Sequence, residues 1–265
     1  MKVTIIGVDC ATQPERTGLA RAEWENGWQS ELTALVCKKN TQVEERIAAW
    51  LPAQGPTLLA LDAPLGWPAA FKQILSTHQA GDALPEPEIN RFFRRVTDQF
   101  VYRTLGKRPL DVGAERIART AYRVLNLLQA LRQLTGQAIP LAWEPALPDG
   151  ISAIEVYPAG TLKAWGAASQ RYKKKSQLQA RHKILMGLKE LLPPIAEPSV
   201  LESNADGLDA AICVLAGADF LQGEVYQPAE AGGPGRLLAQ NEGWIWVRKP
   251  SPRQKALFPS EEASA

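Results

Sequence analysis

The segment that most constrains the fold is the first apolar run of the chain, which extends from Lys2 to Asp9. Its side chains are apolar on both faces, with Ile5 on one face and Ile6 on the other. A strand of this kind lies inside a sheet that other elements cover on both sides. The run therefore predicts a central strand, and this strand ends in a carboxylate at Asp9.

Two further strand-like runs follow, over residues 18–24 and 28–36. The tripeptide Glu25-Asn26-Gly27 separates them, and Asn-Gly between two strand-like runs is a strong signal for a hairpin. We therefore predict that the first three strands form an antiparallel meander.

A helix and a second buried strand come next. Residues 41–51 place apolar side chains on one face and begin with Thr41, a residue type that caps helices. Residues 57–62 are then apolar until Asp62, and Pro64 follows the run. The second buried strand is therefore also expected to end in an aspartate.

The alternation of strand and helix stops after this strand. Residues 64–150 contain a long helical pattern from about Ala114 to Leu134 and a proline-rich exit over residues 140–148. We predict that this region is a helical insertion.

The last third of the chain returns to the alternating pattern. Residues 151–158 predict a strand, and helical patterns follow around residues 178–192. A further helix is predicted from an N-cap at Ser203 to about Leu221. Because residues 210–218 carry no charge, we expect this helix to be buried.

The order of these elements indicates the fold class. Residues 244–247 are interpreted as an edge strand and the polar residues 249–265 as a loose tail, which leaves a single domain over residues 1–248. Three strands, a helix, a strand, an insertion, a strand and helices form the ribonuclease-H-like plan. This is an α/β fold with a mixed sheet and flanking helices, shared by nucleases and actin-like ATPases.

Composition narrows the class of protein. The 265 residues are 45% hydrophobic and 22% charged, as in ordinary soluble domains. No apolar run approaches the roughly 20 residues that cross a bilayer, so we expect a cytoplasmic protein without a membrane partner. Cys10, Cys37 and Cys213 lie far apart in apolar segments, which favours reduced core thiols over disulfides or a zinc site.

Aspartates lie where three of the apolar segments end or begin. Asp9 and Asp62 end strands, while Asp206 and Asp209 share one helix face because they are three residues apart. Clustered buried carboxylates are costly unless cations compensate their charge, and Mg²⁺ or Mn²⁺ suits such oxygen ligands. Two ions roughly 4 Å apart would activate water and stabilise the leaving oxygen of a phosphodiester. The alternative is that Asp206 caps its helix and Asp62 precedes a proline turn.

Glu155 is a fifth candidate site residue. It alternates with Ala153 and Tyr157 in a predicted central strand. Three interpretations stay open from the residues alone: a further catalytic or metal-binding carboxylate, a contact to the substrate, or an edge residue turned to solvent.

Basic residues are concentrated in the insertion. Between Arg91 and Arg123 there are nine basic residues against three acidic ones, although the whole chain has a net charge of only +2. Aromatic residues lie among them, a composition that holds phosphates and stacks bases. A solvated charged face is the alternative. The residues predicted to contact nucleic acid are Arg91, Arg94, Arg95, Lys173, Lys174 and Lys175.

Four motifs together resemble domain-of-unknown-function family 429, whose members are classed as predicted ribonuclease-H-like nucleases. The motifs are Gly7-Val8-Asp9, Leu61-Asp62-Ala63-Pro64-Leu65-Gly66, Glu155-Val156-Tyr157-Pro158 and Asp206-Gly207-Leu208-Asp209-Ala210-Ala211. The resemblance covers roughly residues 3–247.

The resemblance implies roles for the acidic residues. Asp9, Asp62 and one or both of Asp206 and Asp209 would hold metal, as acids at comparable places do in Holliday-junction resolvases. Glu155 belongs to a family motif. The chain departs from the expected pattern shortly before the helix aspartates, where Ser203 and Asn204 stand in place of a histidine.

The leading hypothesis is a metal-dependent nuclease that hydrolyses the phosphodiester bonds of nucleic acid. A kinase or ATPase of the actin-like branch is the first alternative, because Gly7-Val8-Asp9 and a loop that contains Thr12 resemble the phosphate loop of sugar kinases. A module that binds nucleic acid or protein without catalysis is the second.

Overall fold

The computed structural model describes residues 1–84, 90–113, 115–232 and 235–250. The strands of this part of the chain are β1 (Val3–Asp9), β2 (Gly18–Trp24), β3 (Thr33–Val36), β4 (Pro56–Asp62) and β5 (Gly150–Glu155). The helices are α1 (Val43–Ala48), α2 (Ala69–Leu75), α3 (Asn90–Phe93), α4 (Val96–Leu105), α5 (Glu115–Thr135), α6 (Pro158–Trp165), α7 (Leu178–Leu188), α8 (Pro198–Ser203), α9 (Ala205–Leu221) and α10 (Gly235–Glu242).

The strands form one mixed sheet in the order β3-β2-β1-β4-β5. β1 lies at the centre, antiparallel to β2 and parallel to β4, and it is buried along its whole length. The β2 and β3 pairing completes the antiparallel meander, and β5 adds a second parallel neighbour to β4. This is the α/β fold of ribonuclease-H-like arrangement that the order of elements predicts.

Helix α9 packs directly against the centre of the sheet, as its uncharged middle predicts. Its backbone comes so close to β1 that a Cβ atom on Gly7 would overlap the carbonyl oxygen of Ala210 and lie 2.9 Å from Cβ of Cys213. From the helix side, a Cβ atom on Gly217 would lie 2.7 Å from Cγ2 of Ile5. Small residues on both elements therefore bring the start of α9 close to the end of β1.

Helices α1 and α5 cover the opposite face of the sheet. Ile6 and Val8 of β1 belong to the same apolar cluster as Ile47 of α1 and Val124 and Leu128 of α5. The two apolar faces predicted for the central strand are therefore both covered. Residues 64–149 contribute helices and no strand among the described residues.

Some predicted boundaries are wrong. The third strand begins at Thr33 rather than at residue 28, because the chain after the turn at Asn26 makes only isolated bridges, from Trp28 to Trp24 and from Leu32 to Ile195. Helix α9 is capped by Asn204, whose Oδ1 accepts a hydrogen bond from the Asp206 amide at 2.7 Å, and not by Ser203.

Two helix starts and one strand also differ from the prediction. α1 begins at Val43, since Thr41 turns its hydroxyl to the amide of Lys38 instead of capping the helix. Pro158 begins helix α6, which the sequence reading missed because proline was interpreted only as a strand terminator. The predicted edge strand at residues 244–247 makes only an isolated bridge between Glu155 and Ile245.

Two predictions fall partly outside the described residues. Ala114, the predicted start of the long helix, is one, and most of the predicted loose tail, residues 251–265, is the other.

Cys10, Cys37 and Cys213 are free thiols, the first half-buried and the others buried, as the sequence predicts. Within the described part of the chain, no helix combines the length and the apolar character needed to cross a membrane.

Candidate metal centre

Three carboxylates meet where β1 and β4 end. Asp9 and Asp62 are direct neighbours in the parallel register of these strands, so their side chains emerge at the same edge of the sheet. Asp209, near the start of α9, reaches them from the packed helix. One carboxylate oxygen of each residue lies within 4.8 Å of the other two. The structure therefore brings together three of the five acids that the sequence predicts as site residues.

Two of the three acids are buried and the third is half-buried, which makes their charges costly. Asp209 is completely buried and Asp9 is 9% exposed, while Asp62 is half-buried. Burial raises the pKa of Asp9 well above its usual value, and the charges of Asp209 and Asp62 raise it further. Burial also raises the pKa of Asp62 to about 7, although the nearby ammonium of Lys173 opposes this shift. Such a cluster is stabilised in its ionised form by added positive charge.

Asp209 has one oxygen satisfied and one oxygen suited to a cation. The hydroxyl of Tyr172 donates a hydrogen bond of 2.7 Å to Oδ1. Oδ2 is buried and accepts no hydrogen bond of good geometry from the described residues. It lies 2.5 Å from the Nζ atom of Lys173, so its contact is a direct ion pair rather than an aligned hydrogen bond. A buried oxygen of this kind attracts a positive charge, and in this structure the Lys173 ammonium supplies it.

Asp206 lies next to the cluster but not in it. Its side chain is 20% exposed, and its Oδ2 atom lies 3.5 Å from Nε of Arg16. It does not belong to the group of three converging carboxylates. Burial raises the pKa of Asp206, and Arg16 opposes the shift. Asp206 therefore contributes negative charge at the edge of the site and does not act as the helix cap.

Glu155 takes a role that none of the three interpretations from the sequence includes. It is 3% exposed, and its two oxygens accept hydrogen bonds of 2.7 and 2.8 Å from the guanidinium of Arg95. Its Oε2 atom also accepts a hydrogen bond from the backbone amide of Leu65, three residues after Asp62. Through this hydrogen bond Glu155 holds the loop that follows β4, and it thereby supports the position of Asp62 at the end of that strand.

Arg95 is not available to nucleic acid, which corrects the prediction for this residue. It is 1% exposed, and its five N–H groups are all engaged. Nε and one N–H of Nη2 bind the carboxylate of Asp98, two others bind Glu155, and Nη1 also donates to the carbonyl oxygen of Glu242. A guanidinium bonded in this way has no donor left for a phosphate.

Sequence reasoning missed Glu242, which is the other anchor of this region. Its buried carboxylate accepts hydrogen bonds of 2.7 Å from the amides of Ala69 and Val96. These amides lie at the N-termini of α2 and α4, where a negative charge is favoured. No local signal marks Glu242, because its partners are more than 140 residues away in the chain.

The remaining residues predicted to contact nucleic acid differ in their surroundings. Arg91, Lys174 and Lys175 are exposed. Arg94 is half-buried, and its Nε atom donates a 3.1 Å hydrogen bond to Asp111. Only Lys173 reaches the carboxylates.

A cavity of about 230 Å³ opens over the carboxylates. Its lining includes the polar side chains of Asp9, Asp62 and Lys173 and also Tyr157 and Leu110. A larger cavity of about 610 Å³ lies at the other end of α9, beside three tryptophans, and contains none of the three clustered acids. The smaller cavity is the one that a substrate of the carboxylate cluster would enter.

The raised pKa of Asp62 predicts an unusual pH dependence of stability for the metal-free protein. Its pKa rises from an unfolded value of 3.8 to about 7, so the folded protein holds a proton that the unfolded chain has lost. This stability is present below pH 4 and is lost as the pH rises through 7. Asp62→Asn, which mimics the protonated acid, should therefore melt a few degrees above the wild type at pH 8, with a smaller difference at pH 5.

Thermal melts in EDTA at both pH values measure this difference. Asp149→Asn is the matched control, because Asp149 is an exposed acid outside the cluster. An Asp62→Asn protein that is less stable than the wild type at pH 8 would contradict the raised pKa.

Comparisons with known proteins bear on the family and not on the activity. No curated protein and no solved structure matches the chain. The family described as protein of unknown function (DUF429) matches residues 7–232, a range that includes Asp9, Asp62, Lys173 and Asp209. The chain therefore belongs to this family, as the four sequence motifs indicate.

Proposed function

We propose that the protein is a divalent-metal-dependent phosphodiesterase that acts on nucleic acid. The observation that carries the proposal is the cluster of Asp9, Asp62 and Asp209, whose carboxylates converge within 4.8 Å, with Asp9 and Asp62 lining a cavity. Buried acids in such numbers are rare unless they are paired or hold a cation. Lys173 supplies only one positive charge to the three of them.

The ligand chemistry favours a hard cation. All three candidate ligands are carboxylates, with no histidine or cysteine among them, which suits Mg²⁺ or Mn²⁺ better than a softer metal. Such an ion, when bound, acts as a Lewis acid on a phosphoryl oxygen and makes water more acidic. In the reaction, water adds to phosphorus and one P–O ester bond breaks. One proton from water ends on the departing oxygen, so the products are a phosphomonoester and an alcohol.

Positive side chains beside the cluster suit an anionic substrate. Lys173 and Lys163 act electrostatically on Lys107, whose pKa is lowered by burial first and then by these two like charges. Lys107, Lys163 and Lys173 come from different segments of the chain, and among the described residues only Lys173 is paired with an acid of the cluster. A phosphate placed beside the cation site would be attracted by both the cation and the Lys173 ammonium.

The extent of the substrate follows from the surface around the site. Exposed Lys174 and Lys175 continue the positive surface beyond Lys173, as expected for contacts to a phosphate backbone. The cavity of about 230 Å³ is smaller than the ~300–1,000 Å³ of ordinary small-ligand pockets. It is therefore too small for more than one nucleotide unit, and the rest of the strand would lie outside.

The test is a calorimetric titration of Mn²⁺ into the wild type and into Asp9→Asn, with and without ATP. We expect the wild type to bind Mn²⁺ without nucleotide. Since loss of an outer partner of a ligand already costs about 10–100-fold in affinity, loss of Asp9 should cost at least about 100-fold. Cleavage of a fluorescent single-stranded oligonucleotide should be lost in the same variant.

Asp149→Asn, an exposed acid, is the control and should behave as the wild type. Metal binding that requires ATP would instead indicate phosphoryl transfer, as in the actin-like branch. A folded wild type that binds no metal in either condition would exclude the enzyme and favour a non-catalytic binding module.

A further inference from the structure

Contacts fix the position of Lys173, although most of its side chain is exposed. Its side chain is 59% exposed, yet its Nζ atom lies 2.5 Å from Oδ2 of Asp209, inside the carboxylate cluster. One carboxylate oxygen each of Asp9 and Asp62 lies within 4.8 Å of an oxygen of the same Asp209. The ammonium is therefore a permanent positive charge at the site.

The residue before Lys173 ties the loop to the same aspartate. Tyr172 is 1% exposed, and its hydroxyl donates to Oδ1 of Asp209 while Lys173 contacts Oδ2. Burial and the charge of Asp209 raise the pKa of Tyr172, so the phenol keeps its proton and remains a donor. Two consecutive residues thus engage the two oxygens of one carboxylate.

A buried arginine fixes the backbone on both sides of Lys173. Arg181 is 1% exposed, and its donors bind the carbonyl oxygens of Tyr172, Lys174 and Lys175 within the loop. Two further hydrogen bonds join Arg181 to the carbonyl oxygens of Glu202 and Ser203, just before α9. The loop is therefore fastened to the helix that carries Asp209, and Arg181 acts as a positioning residue for Lys173.

The backbone just before Tyr172 and Lys173 is strained. Arg171 has a φ of 57°, in the left-handed region that non-glycine residues seldom adopt. Such strain persists where the surrounding contacts hold the chain in place, and it occurs often at functional sites. Together with Tyr172 and Arg181, it indicates that the position of Lys173 is under constraint.

The charges of the cluster limit how many metal ions it holds. Asp9, Asp62 and Asp209 carry three negative charges when ionised, and Lys173 neutralises one of them. Asp206 and Glu155 do not belong to the group of three converging oxygens, and each lies against an arginine, Arg16 and Arg95 respectively. One divalent cation balances the remaining two charges, and a second would leave an excess of positive charge.

We propose that the site takes one divalent cation, with the Lys173 ammonium providing the remaining positive charge beside Asp209. This inference rests on the proposed function and replaces the two-ion arrangement expected from the sequence. The ammonium occupies the side of the cluster where the second ion would bind, and it can donate a hydrogen bond to a phosphate oxygen of the substrate.

Mn²⁺ binding to the intact chain tests the proposal without any substrate. Equilibrium dialysis should give one bound ion per wild-type chain, and electron paramagnetic resonance should give the spectrum of an isolated Mn²⁺. In Lys173→Met the uncompensated charge should admit a second ion, with a stoichiometry near two and the spectrum of a magnetically coupled pair. Lys173→Arg, which keeps the charge, and Lys183→Met, an exposed lysine on α7, should each bind one isolated ion.

The possible outcomes separate this inference from the proposed function. A wild type that binds a coupled pair of ions would overturn the single-ion proposal and leave the phosphodiesterase proposal standing. A Lys173→Met protein that still binds one ion with wild-type affinity would overturn the role of Lys173. A wild type that binds no Mn²⁺ would overturn the proposed function itself.

Discussion

Replacement of Arg95 with methionine is expected to lower the free energy of unfolding by about 3–5 kcal/mol, because it leaves buried carboxylates without their counterion. Arg95, Asp98 and Glu155 are all at most 3% exposed, and the guanidinium forms two hydrogen bonds with each acid. Burial already disfavours the ionised form of Glu155, and the Arg95 charge opposes that effect. The loop after β4 should loosen as well, since Glu155 binds its Leu65 amide.

Urea denaturation of the metal-free protein measures this loss. Arg119→Met is the matched control, because Arg119 is 71% exposed and its ion pair with Glu115 spans 3.5 Å. Exposed pairs of this kind contribute little, so the control should unfold as the wild type. The double variant Arg95→Met/Glu155→Gln should lose less than the sum of the two single variants, since one unpaired charge is gone. An Arg95→Met protein as stable as the control would contradict the buried network.

The carboxylate cluster could be predicted because each of its members follows from a local pattern. Asp9 and Asp62 end apolar runs that read as buried strands, and adjacent parallel strands end at the same edge of a sheet. Asp209 lies on the helix whose uncharged middle predicts burial. Hydrophobic periodicity therefore located these residues without any knowledge of long-range contacts.

The supporting residues could not be predicted in the same way. The basic run that contains Arg95 predicts a surface for nucleic acid. In the structure Arg95 is instead paired with Glu155, which is 60 residues away in the chain. Burial of a charged side chain depends on that distant partner, which composition does not reveal. Lys173 was likewise identified only as part of a lysine run. Its contact with Asp209 depends on the loop geometry that Arg181 sets.

The sequence predicts only part of the close contact between β1 and α9. The uncharged middle of α9 predicts that this helix is buried, and the close approach of Gly217 to Ile5 agrees with that prediction. The need for a glycine at the facing position of β1, Gly7, does not follow from the sequence. A glycine inside a strand also occurs at bulges and at sites where the strand is weakened. Only the structure shows that a side chain at Gly7 would overlap the Ala210 carbonyl oxygen of α9.

Gly7→Ala is therefore expected to destabilise the protein by about 3 kcal/mol and to weaken metal binding as well. The new methyl group would overlap the Ala210 carbonyl oxygen and come within 2.9 Å of the Val214 amide nitrogen. Both are backbone atoms of a packed helix, so α9 would have to move as a unit. Asp209 precedes Ala210 directly, and a shift of α9 would carry it away from Asp9 and Asp62.

Urea denaturation and Mn²⁺ titration of the same preparation separate the two effects. Gly113→Ala is the control, because the nearest atom to its added Cβ is a Phe93 ring carbon at 3.8 Å, an ordinary contact. It should retain wild-type stability and metal affinity. Comparison with Asp9→Asn adds a further distinction: Asp9→Asn should lose metal binding without loss of metal-free stability, whereas Gly7→Ala should lose both. If Gly7→Ala bound Mn²⁺ as tightly as the wild type, the close contact between β1 and α9 would not set the geometry of the metal ligands.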